Sequence, residues 1–277
     1  LEPEVRALRD VADPEERARS ATALLGRLKD AETELHRIRS EAADELLATG
    51  KTHAQVAEIL GVTRGRIGQI KRASPAPERA FLGDGMLTIV LGQKREEGKG
   101  RPVVAQETTI AARRLGKLAA DHKLESVEEY IPPPGVVQLN RENLIFLAGP
   151  RLFPMVGQIL DGDPTLRFHK DDNGVWYVLN HDTGTEYYAP RDKGMPRDLG
   201  YLGRLPRPDG RGTFLVCAGV HATGTQGVVA YLETHMAELY REVKLKRFSA
   251  LIECDYDPDT LTVTAARRLG PIYRHGS

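Results

Sequence analysis

Arg64, Arg66, Gln69, Lys71 and Arg72 flank a short apolar stripe made by Ile67 and Ile70. Such a helix can bury one face and lay the other in a DNA major groove. Just upstream, Val56, Ile59 and Leu60 recur at helical spacing behind Thr52, a residue suited to N-cap a helix beginning at His53. Gly61 suits a left-handed turn position, Val62 can plug the angle between two helices, and Thr63 can cap the second. Two short helices joined by a tight turn are therefore expected over residues 51–72, the spacing of a DNA-reading module. The span carries five Lys or Arg residues against one acid, Glu58, in a chain whose formal net charge is zero. Nucleic-acid binding would thus rest on a local patch, not on a global positive field.

A second set of residues has the chemistry of an anion site. Gly219-Val-His-Ala-Thr-Gly-Thr-Gln-Gly227 follows an apolar strand pattern and leads into a helical one. A glycine- and hydroxyl-rich turn opening a helix offers backbone N–H groups and a positive dipole end to a phosphate. Gly219 and Gly224 allow close backbone approach, and His221, Thr223 and Thr225 add side-chain donors. Two further strand ends, Gly92-Gln93 and Gly149-Pro150-Arg151, are candidate walls of the same site. The spacing matches neither a Walker loop nor Gly-x-Gly-x-x-Gly, so a tight strand-to-helix turn with threonine caps is the competing structural account.

Other reactive types are sparse. His169, His181 and His235 are scattered without Cys or Asp partners at ligand spacing, so no metal site is expected. Cys217 and Cys254 lie far apart in apolar runs and read as buried free thiols. Trp176 with Tyr177, and Tyr187 with Tyr188, have the surface to stack a base, or serve as cross-strand pairs of a hairpin. No catalytic residue is assigned.

The run from Gln55 to Ile70 (Gln-Val-Ala-Glu-Ile-Leu-Gly-Val-Thr-Arg-Gly-Arg-Ile-Gly-Gln-Ile) resembles region 4 of bacterial sigma factors and the sigma-like helix-turn-helix regulators. The resemblance covers residues 35–73. It implies that Arg64, Arg66 and Gln69 approach base edges, arginine suiting guanine and glutamine adenine. Thr63, Lys71 and Arg72 would hold phosphates. Gly65 and Gly68 stand where sigma factors commonly carry longer polar side chains, so few base-reading groups remain. Phe146-Leu-Ala-Gly-Pro150 is similar to the first strand of nucleoside 2-deoxyribosyltransferases, and Asp182-Thr-Gly-Thr-Glu-Tyr-Tyr188 echoes a second motif of that family. Tyr188 stands where the family's nucleophilic Glu would be, which leaves no activated carboxylate there. The Gly-Pro strand and the later Gly-x-His-x-x-Gly-Thr also look like Rossmannoid sensor domains of bacterial signalling and defence proteins.

The elements that must position these groups follow from periodicity. Residues 14–48 are helical by composition, with Leu24, Leu28, Ala31, Leu35, Ile38 and Ala42 on a heptad seam. The seam packs on its own domain or pairs with a second copy, and a homodimer is expected. Asp30–Glu34 and Arg37–Glu41 populate other faces. Residues 1–73 thus form a helical arm and helix-turn-helix, and 74–85, with prolines and no periodicity, a linker. Residues 86–277 read as a Rossmann-like α/β domain: strand 86–91, helix 104–122, strands 136–139 and 143–148, helix 153–160. An inserted β-hairpin follows at 166–169, 175–180 and 186–189, with turns at Asp-Asn-Gly and Asp-Thr-Gly-Thr. Residues 192–211, rich in Gly, Pro and Arg, read as a loop. Strand 213–218, helix 228–239 and strands 248–254 and 261–265 complete the domain.

No apolar run reaches the ~18 residues a membrane span needs, and no signal peptide is read, so a cytoplasmic location is expected. The expectation as a whole is a DNA-binding transcriptional regulator, not an enzyme, whose α/β domain senses a small anionic ligand such as a nucleotide. Double-stranded DNA is the expected macromolecular partner, and no cofactor is required. A nucleotide-processing enzyme with an accessory helix-turn-helix, drawing on Glu253, Asp255 or His221, is the alternative. A scaffold whose arm binds a protein partner is the third.

Overall fold

A computed structural model describes residues 2–73, 76–83, 85–96, 98–133, 135–151 and 156–276, without the side chains of residues 2, 27, 29, 30, 33, 34 and 71–73. The chain divides into two compact units, Leu1–Ala76 and Pro77–Ser277.

The first unit is helical: α1 (Glu2–Arg9), α2 (Pro14–Ala48), α3 (His53–Ile59) and α4 (Arg64–Ala73). Asp13 starts α2 by accepting the Glu15 amide, ahead of a proline in the first turn. Thr52 and Gln55 form a reciprocal capping box on α3. The helix stops at Gly61, whose φ is +62°. There the Val62 amide donates to the Ala57 carbonyl and the Gly61 amide to that of Glu58. Those two bonds are a Schellman closure, for which glycine carries no steric cost. Ala43, Val56, Ala57 and Ile67 form a buried core, with Leu46, Leu47, Leu60 and Val62 packed on it. Ile59, expected to face inward with Val56 and Leu60, is 55 % exposed, while Leu60 and Val62 pack on the core. On α2 the heptad residues Leu35 and Ile38 are turned outward, while Arg37, Ser40 and Ala43 are buried. Arg37 pairs with Glu41 at 2.8 Å; the Asp30–Glu34 pair lies outside the described side chains.

The second unit is mixed α/β. Residues Pro77–Leu82, expected to be linker, form helix α5 with Ala80, Phe81 and Leu82 buried. The Arg204 guanidinium, itself buried, donates to the Phe81 carbonyl at 2.7 Å and lies over the Phe81 ring. The main sheet contains β1 (Leu87–Gly92), β4 (Ser126–Ile131), β5 (Leu144–Leu147), β9 (Arg197–Pro206), β10 (Thr213–Gly219), β11 (Phe248–Tyr256) and β12 (Val263–Arg274). Its order is β12-β11-β9-β10-β5-β1-β4. Strands β4, β1, β5 and β10 are parallel, and β9, β11 and β12 join antiparallel. The sheet is therefore mixed, not the all-parallel sheet that a Rossmann-like reading implies.

Alternate residues of each strand serve two cores, as the pleat requires. Ile89, Leu91, Ile145 and Leu147 face α5, α6 (Gln106–Asp121) and α8 (Ala222–Val243). Val90, Leu144 and Phe146 face α7 (Val156–Leu160) and a second sheet. That sheet comprises β6 (Leu166–Lys170), β7 (Trp176–Asn180) and β8 (Thr185–Tyr188), an antiparallel excursion as the turn residues imply. A short ribbon, β2 (Lys94–Arg95) with β3 (Pro102–Val103), leads into α6.

Two expectations are corrected. Residues 136–139 are not a strand; the second parallel strand is β4, an edge strand whose largely exposed face carries no apolar run. Residues 192–211 are not a loop over one face, because β9 occupies ten of them in the middle of the sheet. Gly200 and Gly203 interrupt its hydrophobic pattern for a packing reason. A Cβ on Gly200 would strike the Val228 side chain and the Gly224 carbonyl, and one on Gly203 the Tyr201 ring.

Candidate functional site

The carboxyl ends of β5 and β10 open into a cavity of about 470 Å³. Its lining comes from Lys94 on β2, Ala105 and Glu107 at the start of α6, Gly149 and Arg151 after β5, Arg191, and residues 219–222 where β10 meets α8. A second lobe of about 380 Å³ shares Arg151 and His221 with the first and adds Lys170, Gly174, Val175, Trp176 and Asp192. The location is the one ligands favour in open α/β sheets. The β6–β7 turn carries the second lobe. Asp171 Oδ1 accepts the Asn173 and Val175 amides, Gly174 takes φ +83°, and Lys170 and Trp176 flank the tip. Trp176 is half-buried and packs against the core.

Charge in the cleft is mainly positive. Lys94, Arg151, Lys170 and Arg191 line it with His221, against Glu107 and Asp192. Arg191 is held by the Thr223 hydroxyl at 2.6 Å and lies over the Tyr256 ring at 5.3 Å. Burial raises the Tyr256 hydroxyl above its ordinary range, and the nearby Arg191 charge only partly opposes this.

The start of α8 differs from the expected phosphate cradle. Residues 222–227 are already helical, and the buried Asp198 of β9 sits at the helix N-terminus. Its Oδ2 accepts the Gly224 amide at 2.8 Å; its Oδ1 accepts the Leu199 amide at 2.8 Å and faces His221 Nδ1 at 3.0 Å. His221 Nε2 meets Asp192 at 3.1 Å. The imidazole is therefore clasped between two carboxylates. A protein carboxylate thus fills the place the sequence leaves for a ligand anion.

Of the expected ligand residues, Gly149, Arg151, Gly219 and His221 come together in the cleft. Gly92, Gln93, Pro150, Thr223, Gly224 and Thr225 are not among its lining residues. Gly92 ends β1 as a buried residue, and the Gln93 amide is spent on the Ile131 carbonyl. Pro150, Thr223, Gly224 and Thr225 are buried, and the Thr225 hydroxyl accepts the Gly219 amide at 2.9 Å. The glycines have a packing role: a Cβ on Gly149 would meet the Gly219 carbonyl, on Gly224 the Leu199 carbonyl, and on Gly227 the Cys254 side chain. Cys217 and Cys254 are free and buried, each thiol pushed up to about 12 by burial.

The aromatic candidates separate. Tyr177 stacks on its cross-strand neighbour Tyr188 at 4.8 Å, whereas Trp176 lines the second lobe. Among the described residues no group of three or more His, Cys, Asp or Glu is placed to hold a metal. None of their helices is long and apolar enough to cross a membrane. Sequence reasoning misses Lys94, Glu107, Lys170, Arg191, Asp192 and Asp198 as site residues. Asp192 and Asp198 lie in the segment read as loop, and Arg191 stands immediately before it, in the Pro190–Lys193 turn.

In the first unit, Thr63, Arg64, Arg66 and Gln69 are exposed, while Ile67 and Ile70 are buried. Arg66 donates to Gln69 Oε1 at 2.6 Å, so the two side chains project as a pair. The side chains of Lys71 and Arg72 lie outside the described set. No protein-family model matches this chain, and neither a curated protein nor a solved structure is significantly similar to it.

Proposed function

We propose that the chain is a DNA-binding transcriptional regulator whose α/β unit senses a small anionic ligand. In this reading α3 and α4 are a helix-turn-helix and α4 is its recognition helix. The observation that carries it is the division of α4 into a face buried through Ile67 and Ile70 and a face exposing Arg64, Arg66 and Gln69. The Schellman turn at Gly61 and the likeness to sigma region 4 support the same assignment. Arg66 with Gln69 would read base edges, and Thr63, Lys71 and Arg72 would hold phosphates. The α/β unit is read as a Rossmann-like sensor, and the cationic cleft at its strand ends as the ligand site. Side-chain cations, more than helix amides, supply the attraction there. Because α4 offers few base-reading groups, a dimer presenting two copies supplies the specificity.

The test is selection of double-stranded genomic fragments by the full chain, followed by titration of an enriched fragment. Arg66→Ala and Gln69→Ala should each weaken specific binding about 5- to 100-fold and relax the selected sequence. Tight, sequence-specific binding that both variants retain unchanged refutes the assignment.

One observation favours a second reading, a nucleotide-processing enzyme. His221, held between Asp192 and Asp198, lines the same cavity as Glu107, and a positioned imidazole can act as general acid or base. Glu253 and Asp255 do not serve it, being tied to Arg197 and Arg267. Incubation with nucleotides followed by chromatography separates the readings, since turnover supports the enzyme and binding without turnover the sensor.

A further inference from the structure

The cleft has two lobes of different chemistry, and from them we infer that its ligand is a nucleotide, bound with its phosphate among Arg151, Arg191 and Lys94 and its base on Trp176. The inference rests on the anion-sensing reading and narrows it.

The first lobe presents Lys94, Arg151 and Arg191 around the start of α8. Guanidinium groups suit phosphate because their N–H fork matches two of its oxygens. Arg191 is held in place beforehand by Thr223 and the Tyr256 ring, which limits the entropy lost on binding. An inorganic anion would need this lobe alone.

The second lobe adds what an inorganic anion or a sugar phosphate has no use for. Trp176 packs against the core while partly exposed, and it lines the lobe. Stacking on an indole is a general means of holding a nucleobase, because every base has a π-face. Asp192 in the same lobe can accept from a base amino group. Lys170 runs past Gly174, whose Cβ position lies 3.3 Å from the lysine Cε, and lines the same lobe as the ring. The β6–β8 excursion, whose Tyr177–Tyr188 pair only closes the sheet, thereby carries an aromatic residue to the strand ends of the main sheet.

The lobes meet at Arg151 and His221, which line both. A molecule spanning them passes the clasped imidazole at its midpoint, where a ribose would lie. Each lobe falls in the lower half of the ~300–1,000 Å³ usual for small-molecule sites, and the pair suits one nucleotide.

Trp176 is the only tryptophan in the chain, so its fluorescence reports this lobe directly. The full-length protein is titrated with adenosine, guanosine, cytidine and uridine 5′-diphosphates, with pyrophosphate, and with ribose 5-phosphate. At least one nucleoside diphosphate should quench Trp176. Pyrophosphate should leave the emission nearly unchanged yet compete with that nucleotide. By calorimetry, Trp176→Ala should weaken the nucleotide about tenfold or more and leave pyrophosphate affinity within about twofold. Trp176→Phe, which keeps a ring and guards against misfolding, should recover most of the loss. If pyrophosphate and ribose 5-phosphate bind as tightly as every nucleotide, and Trp176→Ala changes none of them, the inference is overturned while the anion-sensing reading stands. If neither nucleotides nor pyrophosphate bind, both are overturned.

Discussion

Asparagine at position 198 separates the charge of the buried carboxylate from its shape. Asp198 accepts the Gly224 amide with one oxygen and the Leu199 amide and His221 with the other. An asparagine keeps one acceptor oxygen and turns an NH₂ group toward donors on its other side. At least one buried donor is left unpaired, at about 1–3 kcal/mol. The negative charge at the N-terminus of the 22-residue α8 also disappears, at up to ~2 kcal/mol in a buried setting. Asp198→Asn should therefore destabilise the second unit by about 3 kcal/mol. For a unit of this size the melting temperature falls ~2–4 °C per kcal/mol, hence about 10 °C. Because the sole tryptophan, Trp176, lies in Pro77–Ser277, urea unfolding followed by its fluorescence reports that unit. Asp198→Ala, which removes all acceptors, should lose at least as much. A loss below about 1 kcal/mol at unchanged m-value refutes the reasoning. It would mean that Asp198 does not hold the Gly224 amide at the start of α8 and that the helix end is open to a ligand, as the sequence alone suggests.

Three further outcomes are expected. Burial alone would raise the Asp163 carboxyl, but hydrogen bonds from His275, the Leu166 amide, Tyr201 and the Thr165 amide outweigh it and hold the group below its ordinary value. The folded state thus prefers the carboxylate; its stabilisation is complete above the unfolded pKa of about 4 and is lost as pH falls through the lower folded value. Asp163→Asn should cost about 2–4 kcal/mol at pH 7 and flatten the stability–pH curve below about pH 4, while a parallel curve would refute the role. Gly227→Ala should destabilise the second unit by about 1–3 kcal/mol because its Cβ would meet Cys254, whereas Gly26→Ala in α2, with open space around it, should stabilise the first by about 1 kcal/mol. Equal signs in urea unfolding would refute the packing argument. Leu35→Asp with Ile38→Asp should leave the first unit's circular dichroism unchanged, since both are exposed, but shift sedimentation to a monomer; a wild-type protein that already sediments as monomer refutes the dimer.

Much of the first unit was legible in the sequence because its determinants are local. Thr52, Gln55 and Gly61 cap and stop α3 through bonds within a few residues, and the Ile67–Ile70 spacing assigns the buried face of α4 without reference to anything distant. The same holds for the β6–β8 excursion, where Asp171, Asn173 and Gly174 specify the turn, and for β5 and β10, whose short apolar runs mark strands buried on both faces. Strand β9 was not legible. Its Gly200 leaves room for α8, a constraint imposed by Val228 and Gly224, which lie more than twenty residues away in the chain.

The candidate site divides along the same line. The sequence by itself determined that glycine-ended strands would converge near the start of α8, and it picked out Gly149, Arg151, Gly219 and His221. It could not determine that β9 would thread beside β10 and deliver Asp198 to the Gly224 amide of α8, or that Arg191, Lys170 and Trp176 would reach the cleft from separate segments. Helix and turn formation are governed by bonds between near neighbours, so residue types and spacing suffice to read them. Which charge neutralises a helix end, and which ring faces a cavity, depends on strand order, and in this chain only the tertiary structure decided it.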